Sequence, residues 1–473
     1  MDFKDEIIAK LTQQNALLTE NLNRALSKIT SLQKTIVSLQ TMIVSLQTKI
    51  NELEKKSKKN STNSDKPPSS DGLAKKPKPT SLRKKGKKKS GGQLGHKGHT
   101  LTKSSNPDRV IEHLVNSCQS CFVDLTQTKP DKIIDRQVVD LPIIKFEITE
   151  HRAEIKICSC GHRNEGMFPD HVKTAVQYGP NVQAFATYFL NQQLIPEDRL
   201  ADMFQDVFNL PIATATLIKA NQSFFDKTQN LMTNVKDNLL KSKVKNLDES
   251  GLRVTGKNHW IHVLCNNRAT VYRIDEKRGA MFEGLKGTII HDHFKSYFTL
   301  ENVTHGLCNA HILRELKSLI EHEKEPWARK MFSLLLYSNK HRENPKRISK
   351  LYDQAISLGF DYHESMPPLP KKGKRGKQPH RDGHNLVIRM KNHKEDVLRF
   401  LKDENVPFTN NQAEQDIRMV KVKMKISGGF RSKKGADVFC GIRGFISTCR
   451  KQGLNIFQAI SDAILGIMPE FSF

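Results

Sequence analysis

The chain has 473 residues, of which 77 are Lys or Arg and 50 are Asp or Glu, so its formal net charge is +27. This charge is far more positive than solubility requires and indicates a polyanionic partner, with nucleic acid as the first candidate. The charged start "MDFKDEIIAKL" does not look like a signal peptide, and no apolar run approaches the ~20 residues of a membrane span. We therefore expect a cytoplasmic protein without a membrane segment.

The first segment, residues 1–53, repeats every seven residues. Isoleucine or leucine occupies one heptad position and leucine occupies another three residues later, with Asn15 and Ala25 as the exceptions. Isoleucine at a and leucine at d favour a parallel two-stranded coiled coil, whose register Asn15 would fix. Seven heptads form a helix of roughly 70 Å, too long for one small domain to cover. We therefore expect a homodimer or higher assembly. The apolar positions are Ile8, Leu22, Ile29, Ile36, Ile43 and Ile50 at a, and Leu11, Leu18, Leu32, Leu39, Leu46 and Leu53 at d.

Residues 54–104 contain mostly Lys, Ser, Pro and Gly and almost no large apolar side chain. Such a composition does not bury enough surface to fold alone, so the sequence predicts a flexible, disordered basic arm. Its charge could bind DNA phosphates without sequence preference. A solvated linker without a target is the alternative.

Residues 105–170 contain two cysteine clusters on either side of the strand-like stretch "RQVVDLPIIKFEITEHRAEIKI". The first is Cys118 and Cys121 in "CQSC", and the second is Cys158, Cys160 and His162 in "CSCGH". Two such clusters can supply four tetrahedral ligands to a structural Zn²⁺, which predicts a small zinc-ribbon-like module. Cys160 or His162 could be the fourth ligand. A site that has drifted and no longer binds metal is the alternative.

Residues 171–242 have the composition of short helices interrupted at "IP" and "NLP". This arrangement is compatible with a helix-turn-helix that places Thr214, Thr216 and Lys219 near DNA. An ordinary helical connector explains the pattern about as well.

Residues 243–430 predict an α/β domain. Three strands, "KVKNLDES", "HWIHVLCNN" and "ATVYRIDEK", form an antiparallel meander, followed by a helix at "RGAMFEGL" and by strands at "GTIIHDHF" and "THGLCNAH". This order is typical of a ribonuclease-H-like fold, in which the first and fourth strands lie side by side. Asp248 on the first strand and Asp292 at the end of the fourth would then meet.

Two carboxylates held together repel each other unless cations lie between them, and the usual cations are two Mg²⁺ (or Mn²⁺) ions about 3.5–4 Å apart. Such a pair needs a third carboxylate, which Glu414 in "NNQAEQDIR" could provide. Alternatively, each Asp is a turn or cap residue, and Glu414 forms an i,i+4 pair with Arg418 on a solvated helix. Glu249 alternates to the opposite face of the strand from Asp248, so we assign it no catalytic role.

Several ordered motifs resemble those of the insertion sequence 66 family, the bacterial DDE transposases, over nearly the whole chain. They are the N-terminal zipper, "KNSTNSDKPPSSDGL", "GGQLGHKGHTL", the cysteine clusters, "DESGLRV" with "HWIHV", "HDHFKSY", "LCNAHILREL" and "VPFTNNQAEQDIRMVKVKMKISGGF". The C-x-C spacing of Cys158 and Cys160 departs from the C-x-x-C that the family leads us to expect, which weakens the zinc prediction.

The resemblance implies a transposase of a mobile element, with a DDE triad of Asp248, Asp292 and Glu414 that binds two Mg²⁺ ions, Asp248 bridging both. It implies cleavage of transposon ends and strand transfer into target DNA by phosphoryl transfer. The partners would be DNA and accessory proteins encoded by the same element. Residues expected to bind phosphates near the metals are Arg418, Lys421, Lys423, Lys425 and Arg431.

Cys308 and His311 resemble the C-x-x-H element that follows the fifth strand in several DDE families. For this pair we expect a buried structural or DNA-positioning role rather than a metal site.

Between His311 and Glu414 we predict a helical insertion at about residues 320–405, with a basic loop, Lys371 to Lys377, that could contact DNA. The C-terminal element, residues 431–473, is amphipathic and should pack back onto the sheet. Two other functions fit the same motifs. One is a catalytically inactive or domesticated relative that only binds DNA, and the other is a nuclease that cuts without rejoining.

Overall fold

The computed structural model of the protein describes residues 3–58, 101–141, 146–369 and 377–473. Most of the predicted basic arm, residues 54–104, therefore lies outside the described residues, as does nearly all of the loop from Lys371 to Lys377. Four residues of the strand-like stretch, 142–145, are also outside them. Within the described ranges, no helix combines the length and the apolar character that crossing a membrane requires.

The predicted heptads form one continuous helix, Phe3–Lys58 (α1), which ends five residues beyond the predicted boundary at residue 53. Its 56 residues span about 84 Å at 1.5 Å per residue. The isoleucine and leucine side chains at the a and d positions are between 51 % and 65 % exposed in the single chain. An exposed apolar stripe of this length is typical of a surface that binds another protein chain. Self-association through it stays a prediction.

Among the described residues of the cysteine region, 105–141 and 146–170, the structure contains one short antiparallel hairpin, Ile155–Ile157 (β1) with Arg163–Glu165 (β2). Residues 136–141 and 146–154 form no strand, so the strand-like alternation there was misleading. Its apolar side chains, such as Val138 and Ile148, are exposed rather than packed in a core.

Three helices follow, Pro180–Asn191 (α2), Glu197–Phe208 (α3) and Thr214–Lys241 (α4). They pack around a small core that includes Leu200, Phe204 and Leu217. Thr214 and Lys219 are exposed at the start of α4 and Thr216 is half-buried. The second half of α4 packs against the sheet through Val235 and Leu239, so this part of the helix belongs to the core of the sheet domain. DNA binding through its first turns stays a prediction.

A five-stranded mixed sheet follows α4. Its strands are Val244–Val254 (β3), Lys257–Cys265 (β4), Thr270–Asp275 (β5), Gly287–His291 (β6) and Val303–Leu307 (β7). The order across the sheet is β5-β4-β3-β6-β7, with β3, β4 and β5 antiparallel and with β6 and β7 running parallel to β3. The prediction that the first and fourth strands of this domain are neighbours is confirmed.

The predicted helix at "RGAMFEGL" is wrong. Residues 276–286 form turns between β5 and β6, and Phe282 and Leu285 are buried against the sheet side that α4 also covers. Their spacing of three residues is also the spacing of one helix face, which explains the wrong prediction. In the structure, turns rather than a helix bring both side chains to the core. A 3₁₀ helix, Lys295–Thr299, links β6 to β7.

A series of helices follows β7. They are Asn309–Ser318 (α5), the π-helix Leu319–Glu323, Pro326–Lys340 (α6), Pro345–Glu364 (α7), Asp382–Asn392 (α8), Lys394–Val397 (α9) and the 3₁₀ helix Arg399–Leu401. Trp327, Tyr352 and Met390 lie in their common core, which continues to Ile290 and Leu307 of the sheet. The structure therefore contains a helical insertion where the sequence predicted one.

The last helices are Asn411–Ser427 (α10), Lys433–Lys451 (α11) and Ile456–Ile464 (α12). Helix α11 covers the edge strand β5, where the Thr270 amide donates to Thr448 Oγ1 at 3.1 Å. The C-terminal element thus packs back onto the sheet, as expected.

Asp416 of α10 joins these elements through a buried polar cluster. Its carboxylate accepts hydrogen bonds from Thr270 Oγ1 (2.9 Å), Ser447 Oγ (3.1 Å) and Lys451 Nζ (2.7 Å). We expect Asp416→Ala to lower the free energy of unfolding by about 3 kcal/mol or more, because it leaves the Lys451 ammonium buried without its carboxylate. Urea unfolding followed by tryptophan fluorescence measures this, since Trp260 lies on β4 of the same sheet.

Asp437→Ala is the matched control. Asp437 pairs with Lys433 on the exposed face of α11, and such surface pairs contribute only about 0–1 kcal/mol. An Asp416→Ala protein as stable as Asp437→Ala would contradict the prediction.

Candidate active site

The register of the parallel strands brings the two predicted aspartates to one place. Asn246 of β3 pairs with Ile290 of β6. Asp248 lies two residues after Asn246, and Asp292 lies two residues after Ile290, directly beyond the end of β6. Both side chains therefore stand at the same level of adjacent strands.

The pKa of Asp248 is affected by the charges of three other carboxylates. Burial makes the largest contribution to a pKa raised well above the ordinary value of an aspartate, and the charges of Glu249, Asp292 and Glu414 raise this pKa further. A carboxyl group crowded by others in this way is the environment in which proteins place cations. The charges of the other two residues predicted for the triad, Asp292 and Glu414, thus act on Asp248, and the triad itself stays a prediction.

Glu249, which the sequence excluded from this role, is already compensated by other residues. Its Oε1 accepts hydrogen bonds from Arg278 Nε (3.0 Å) and Nη2 (2.8 Å), and its Oε2 accepts one from the Tyr297 hydroxyl. The Arg278 guanidinium also lies 4.0 Å from the centre of the Phe294 ring. Glu249 therefore serves a structural ion pair.

Asn410 positions the helix that carries Glu414. It precedes the first turn of α10 and is 2 % exposed. Its side-chain amide donates to the Leu247 carbonyl oxygen (2.7 Å), its Oδ1 accepts from Asn246 Nδ2 (2.7 Å), and its backbone N–H donates to Cys308 Sγ (3.1 Å). These hydrogen bonds hold the start of α10 against Leu247, the strand residue next to Asp248. Sequence reasoning missed Asn410. An asparagine at an N-cap position was the available signal, although its side chain bonds to the sheet instead of capping the helix.

The two oxygens of the Glu414 carboxylate have different surroundings. Its Oε2 lies 3.9 Å from Arg314 Nη2 of α5, a long ion-pair distance. Its Oε1 is buried and, among the described residues, has no hydrogen-bond partner. A buried carboxylate oxygen without a partner is costly, and a metal ion is one group that would satisfy it.

Cys308 and His311 lie beside Glu414. Sγ of Cys308, a ring nitrogen of His311 and a carboxylate oxygen of Glu414 all lie within 4.8 Å of one another, the one such group of three or more possible ligands in the described ranges. Burial raises the pKa of the Cys308 thiol to about 12 and lowers the pKa of His311 to about 4. The expected burial is therefore present, and the contact with Glu414 was not expected.

Two histidines, His291 and His293, flank Asp292 in the chain, and sequence reasoning did not consider them. His291 Nε2 and His305 Nδ1 are 2.9 Å apart and share a hydrogen bond. Burial lowers the pKa of His291 to about 3 and that of His293 to about 2, so both rings are neutral near pH 7. The histidines on either side of Asp292 therefore add no positive charge beside it near pH 7.

The four cysteines predicted to bind zinc occupy two separate turns. The Cys121 N–H lies 3.5 Å from Cys118 Sγ, and this backbone hydrogen bond contributes most to lowering the pKa of Cys118 to about 7. Cys158 and Cys160 lie in the loop of the β1–β2 hairpin. Within the described part of the chain, no three of these sulfurs come within 4.8 Å of one another. Zinc binding by Cys118, Cys121, Cys158 and Cys160 stays a prediction.

A row of basic side chains continues from Glu414 along α10. Arg418, Lys421 and Lys425 are exposed and follow Glu414 at helical spacings that place all four on one face. Arg431 is exposed just beyond the helix. Lys423, which we expected in this row, is only 6 % exposed, because its position falls on the face of α10 that packs on the sheet.

The pKa of Asp248 predicts a pH dependence of stability. In the metal-free protein the native state holds its proton more tightly than the unfolded state, whose aspartates titrate near pH 3.9. Stability should therefore fall as pH rises from about 4 through the raised native pKa. Asp248→Asn lacks this loss, so its advantage in free energy of unfolding over the metal-free wild type should grow with pH.

Urea unfolding of both metal-free proteins at several pH values checks this expectation. Asp237→Asn, at an exposed position of α4, serves as the control and should follow the wild type. A constant difference between Asp248→Asn and wild type across the pH range would contradict the crowding of the carboxylates.

Comparison with known proteins agrees with this geometry. The family model described as "Transposase IS66 family" matches residues 175–438, and a family of unknown function, DUF6444, matches residues 10–102. A Sinorhizobium fredii protein described as "Uncharacterized protein y4jO" is 31% identical over 83 residues, which are 18% of this chain and 26% of that relative. The chain thus spans about a quarter of that relative's length. Because the first match covers more than half of the chain, including the sheet and all three acids, the chain belongs to the IS66 family of transposases.

Proposed function

We propose that the protein is a DDE transposase that cleaves DNA at the ends of its element and joins them to target DNA. The observation that carries the proposal is that Asp292, directly after β6, lies level with Asp248 in the middle of β3, and that the charges of Asp292 and Glu414 both act on Asp248, in a chain of this family. The strand order, with three antiparallel strands followed by two parallel ones, supports a ribonuclease-H-like catalytic domain.

These three residues fit divalent metal ions. Burial makes the largest contribution to the raised pKa of Asp248, and the charges of Glu249, Asp292 and Glu414 raise it further, so a cation beside these carboxylates would be favourable. When bound, two Mg²⁺ or Mn²⁺ ions would activate the attacking oxygen and stabilise the leaving oxygen of an in-line phosphoryl transfer. Asp248, Asp292 and Glu414 would together hold these ions.

The protein's own residues would bind and orient the DNA. Arg418, Lys421, Lys425 and Arg431 form the basic row beyond Glu414 and would contact phosphates of the bound end, which positions the strand without reading its sequence. Asn410 would keep Glu414 at a fixed distance from Asp248 through its bonds to Leu247 and Asn246. The overall charge of +27 favours DNA as the partner.

The assembly that works on two ends would form through α1. Its exposed a and d side chains support a parallel homodimer or a higher assembly, as the heptads predict. Structural zinc at the cysteine turns and accessory proteins encoded by the same element complete the proposal and rest on the sequence and on the family resemblance.

The test is a Mg²⁺- or Mn²⁺-dependent assay of purified protein on the end sequence of its own element, with Glu414→Gln as control. Cleaved ends that become joined to target DNA, and that are absent with Glu414→Gln, would support the proposal. Cleavage without joining would indicate a nuclease. Tight binding without chemistry, with accessory proteins supplied, would indicate a DNA-binding relative that has lost catalysis.

A further inference from the structure

Two helix starts meet beside Glu414. Cys308 directly precedes α5, His311 lies in the first turn of α5, and Glu414 lies in the first turn of α10. The Asn309 N–H donates to the Phe408 carbonyl oxygen (3.1 Å), so the segments before the two helices are hydrogen-bonded to each other. The three possible ligand atoms, one from each side chain, lie within 4.8 Å of one another.

Two of these side chains carry buried polar atoms that nothing else satisfies. His311 Nδ1 and Glu414 Oε1 are both buried and have no hydrogen-bond partner in the described part of the chain. Each such atom costs roughly 1–3 kcal/mol, so native proteins rarely leave one without a partner. Two of them in one cluster, next to a thiol, point to a group that binds all three residues.

We propose that Cys308 Sγ, the His311 imidazole and the Glu414 carboxylate bind a divalent transition metal ion, with Zn²⁺ as the best fit. Thiolate, imidazole and carboxylate are the three kinds of protein ligand that Zn²⁺ takes, and three of them leave a fourth tetrahedral position for water. Mg²⁺ prefers octahedral oxygen ligands and is a poor match for sulfur. This site goes beyond the proposed function and shares only Glu414 with it.

The surroundings suit an anionic sulfur once a metal is bound. The Asn410 N–H already donates to Cys308 Sγ at 3.1 Å, and the positive ends of α5 and α10 favour negative charge at their first residues. Arg314 stands 3.9 Å from the other oxygen of Glu414, Oε2, which leaves Oε1 for the metal. A bound ion would tie the first helix of the insertion to the helix that carries Glu414.

Cobalt(II) is the probe, because a cobalt–thiolate bond gives a charge-transfer absorption that carboxylate and imidazole ligands do not give. Full-length protein stripped of metal is titrated with Co²⁺ in the absence of Mg²⁺, and then with Zn²⁺ as competitor. We expect Cys308→Ser to lack part of the wild-type thiolate absorption and one equivalent of bound metal. Removing a residue that only hydrogen-bonds to a metal ligand lowers metal affinity about 10–100-fold. His311→Gln removes a proposed ligand itself, so it should lower the affinity for this equivalent of metal at least as much.

The controls address the other cysteines and the fold. Cys440→Ser removes an equally buried thiol of α11 and should keep the full signal. A full-length chain with serine at Cys118, Cys121, Cys158 and Cys160 isolates the site from the cysteine turns and should keep the Cys308-dependent band. Circular dichroism of Cys308→Ser, compared with wild type, separates loss of a ligand from loss of the fold. If Cys308→Ser does not fold, Zn²⁺-dependent thermal stabilisation decides: in the chain with serine at Cys118, Cys121, Cys158 and Cys160, adding His311→Gln should abolish it.

A Co²⁺ absorption that is identical in wild type and Cys308→Ser, or absent once the four other cysteines are serine, would overturn the inference. The DNA assay separates this from the proposed function. Mg²⁺-dependent cleavage that is lost in Asp248→Asn would preserve the catalytic proposal even without a thiolate signal. A Cys308-dependent signal in a protein that never cleaves DNA would preserve the metal site alone.

Discussion

Asp248→Asn, Asp292→Asn and Glu414→Gln are each expected to lower Mg²⁺-dependent cleavage of the element's end by about a thousandfold or more. A metal ion contributes several kcal/mol of transition-state stabilisation, and each 1.36 kcal/mol corresponds to a factor of ten in rate. DNA binding should change little, because each replacement keeps the shape of the side chain and leaves Arg418, Lys421 and Lys425 in place. Single-turnover cleavage and a gel-shift titration at fixed salt measure the two quantities.

Glu249→Gln is the informative comparison for these variants. Glu249 is adjacent to Asp248, but Arg278 and Tyr297 already occupy its carboxylate, so cleavage should fall far less than in Asp248→Asn. Glu404→Gln, at an exposed position, should match the wild type. If any of the three site variants cleaves at a rate close to that of the wild type, that residue does not belong to the catalytic group.

Lysine at two a positions of α1, Ile29→Lys with Ile36→Lys, is expected to weaken self-association at least about a hundredfold. Each lysine places a charge in the seam between helices, where an ion without a partner costs several kcal/mol, and 1.4 kcal/mol is a factor of ten in the dissociation constant. Analytical ultracentrifugation over a range of protein concentrations measures the shift. Joining of two ends should fall together with assembly, because the two catalytic domains are no longer linked.

The matched control adds the same charge outside the seam. Ser31→Lys with Ser38→Lys places two lysines at c positions of the same heptads, which face solvent in a two-stranded coil. This protein should assemble like the wild type. Equal weakening by both pairs would mean that net charge, rather than the apolar stripe, controls assembly.

The sequence predicted the parts of the site that depend on strand order. Asp248 and Asp292 meet because two parallel neighbouring strands place equivalent positions side by side, and hydrophobic runs with short turns were enough to order those strands. The heptads of α1 were equally readable, since their period is local. Glu414 was only a hypothesis for the third carboxylate until the family resemblance supported it, because 121 residues separate it from Asp292.

Other features depend on tertiary packing and were missed or wrong. Phe282 and Leu285 have helical spacing but are buried by turns. Lys423 shares a basic run with Lys421 and Lys425, yet its position on the helix turns it toward the sheet. Asn410 stands where an N-cap is expected, and only the structure shows that its amide bonds to Leu247. The approach of Cys308 and His311 to Glu414 likewise comes from the meeting of two helix starts, which no local pattern predicts.

The position of the helical insertion has a consequence for protein synthesis. Asp248 lies on β3 and Asp292 directly follows β6, whereas Glu414 follows the insertion, and ribosomes add about 5–20 residues per second. A nascent chain therefore carries α1 and two of the three acids for seconds before the third exists. A product of premature termination before Asn411 would be expected to pair with intact chains through α1 while contributing no complete site of its own. Such fragments would form mixed assemblies that lack one complete site, so errors of translation would reduce the mobility of the element.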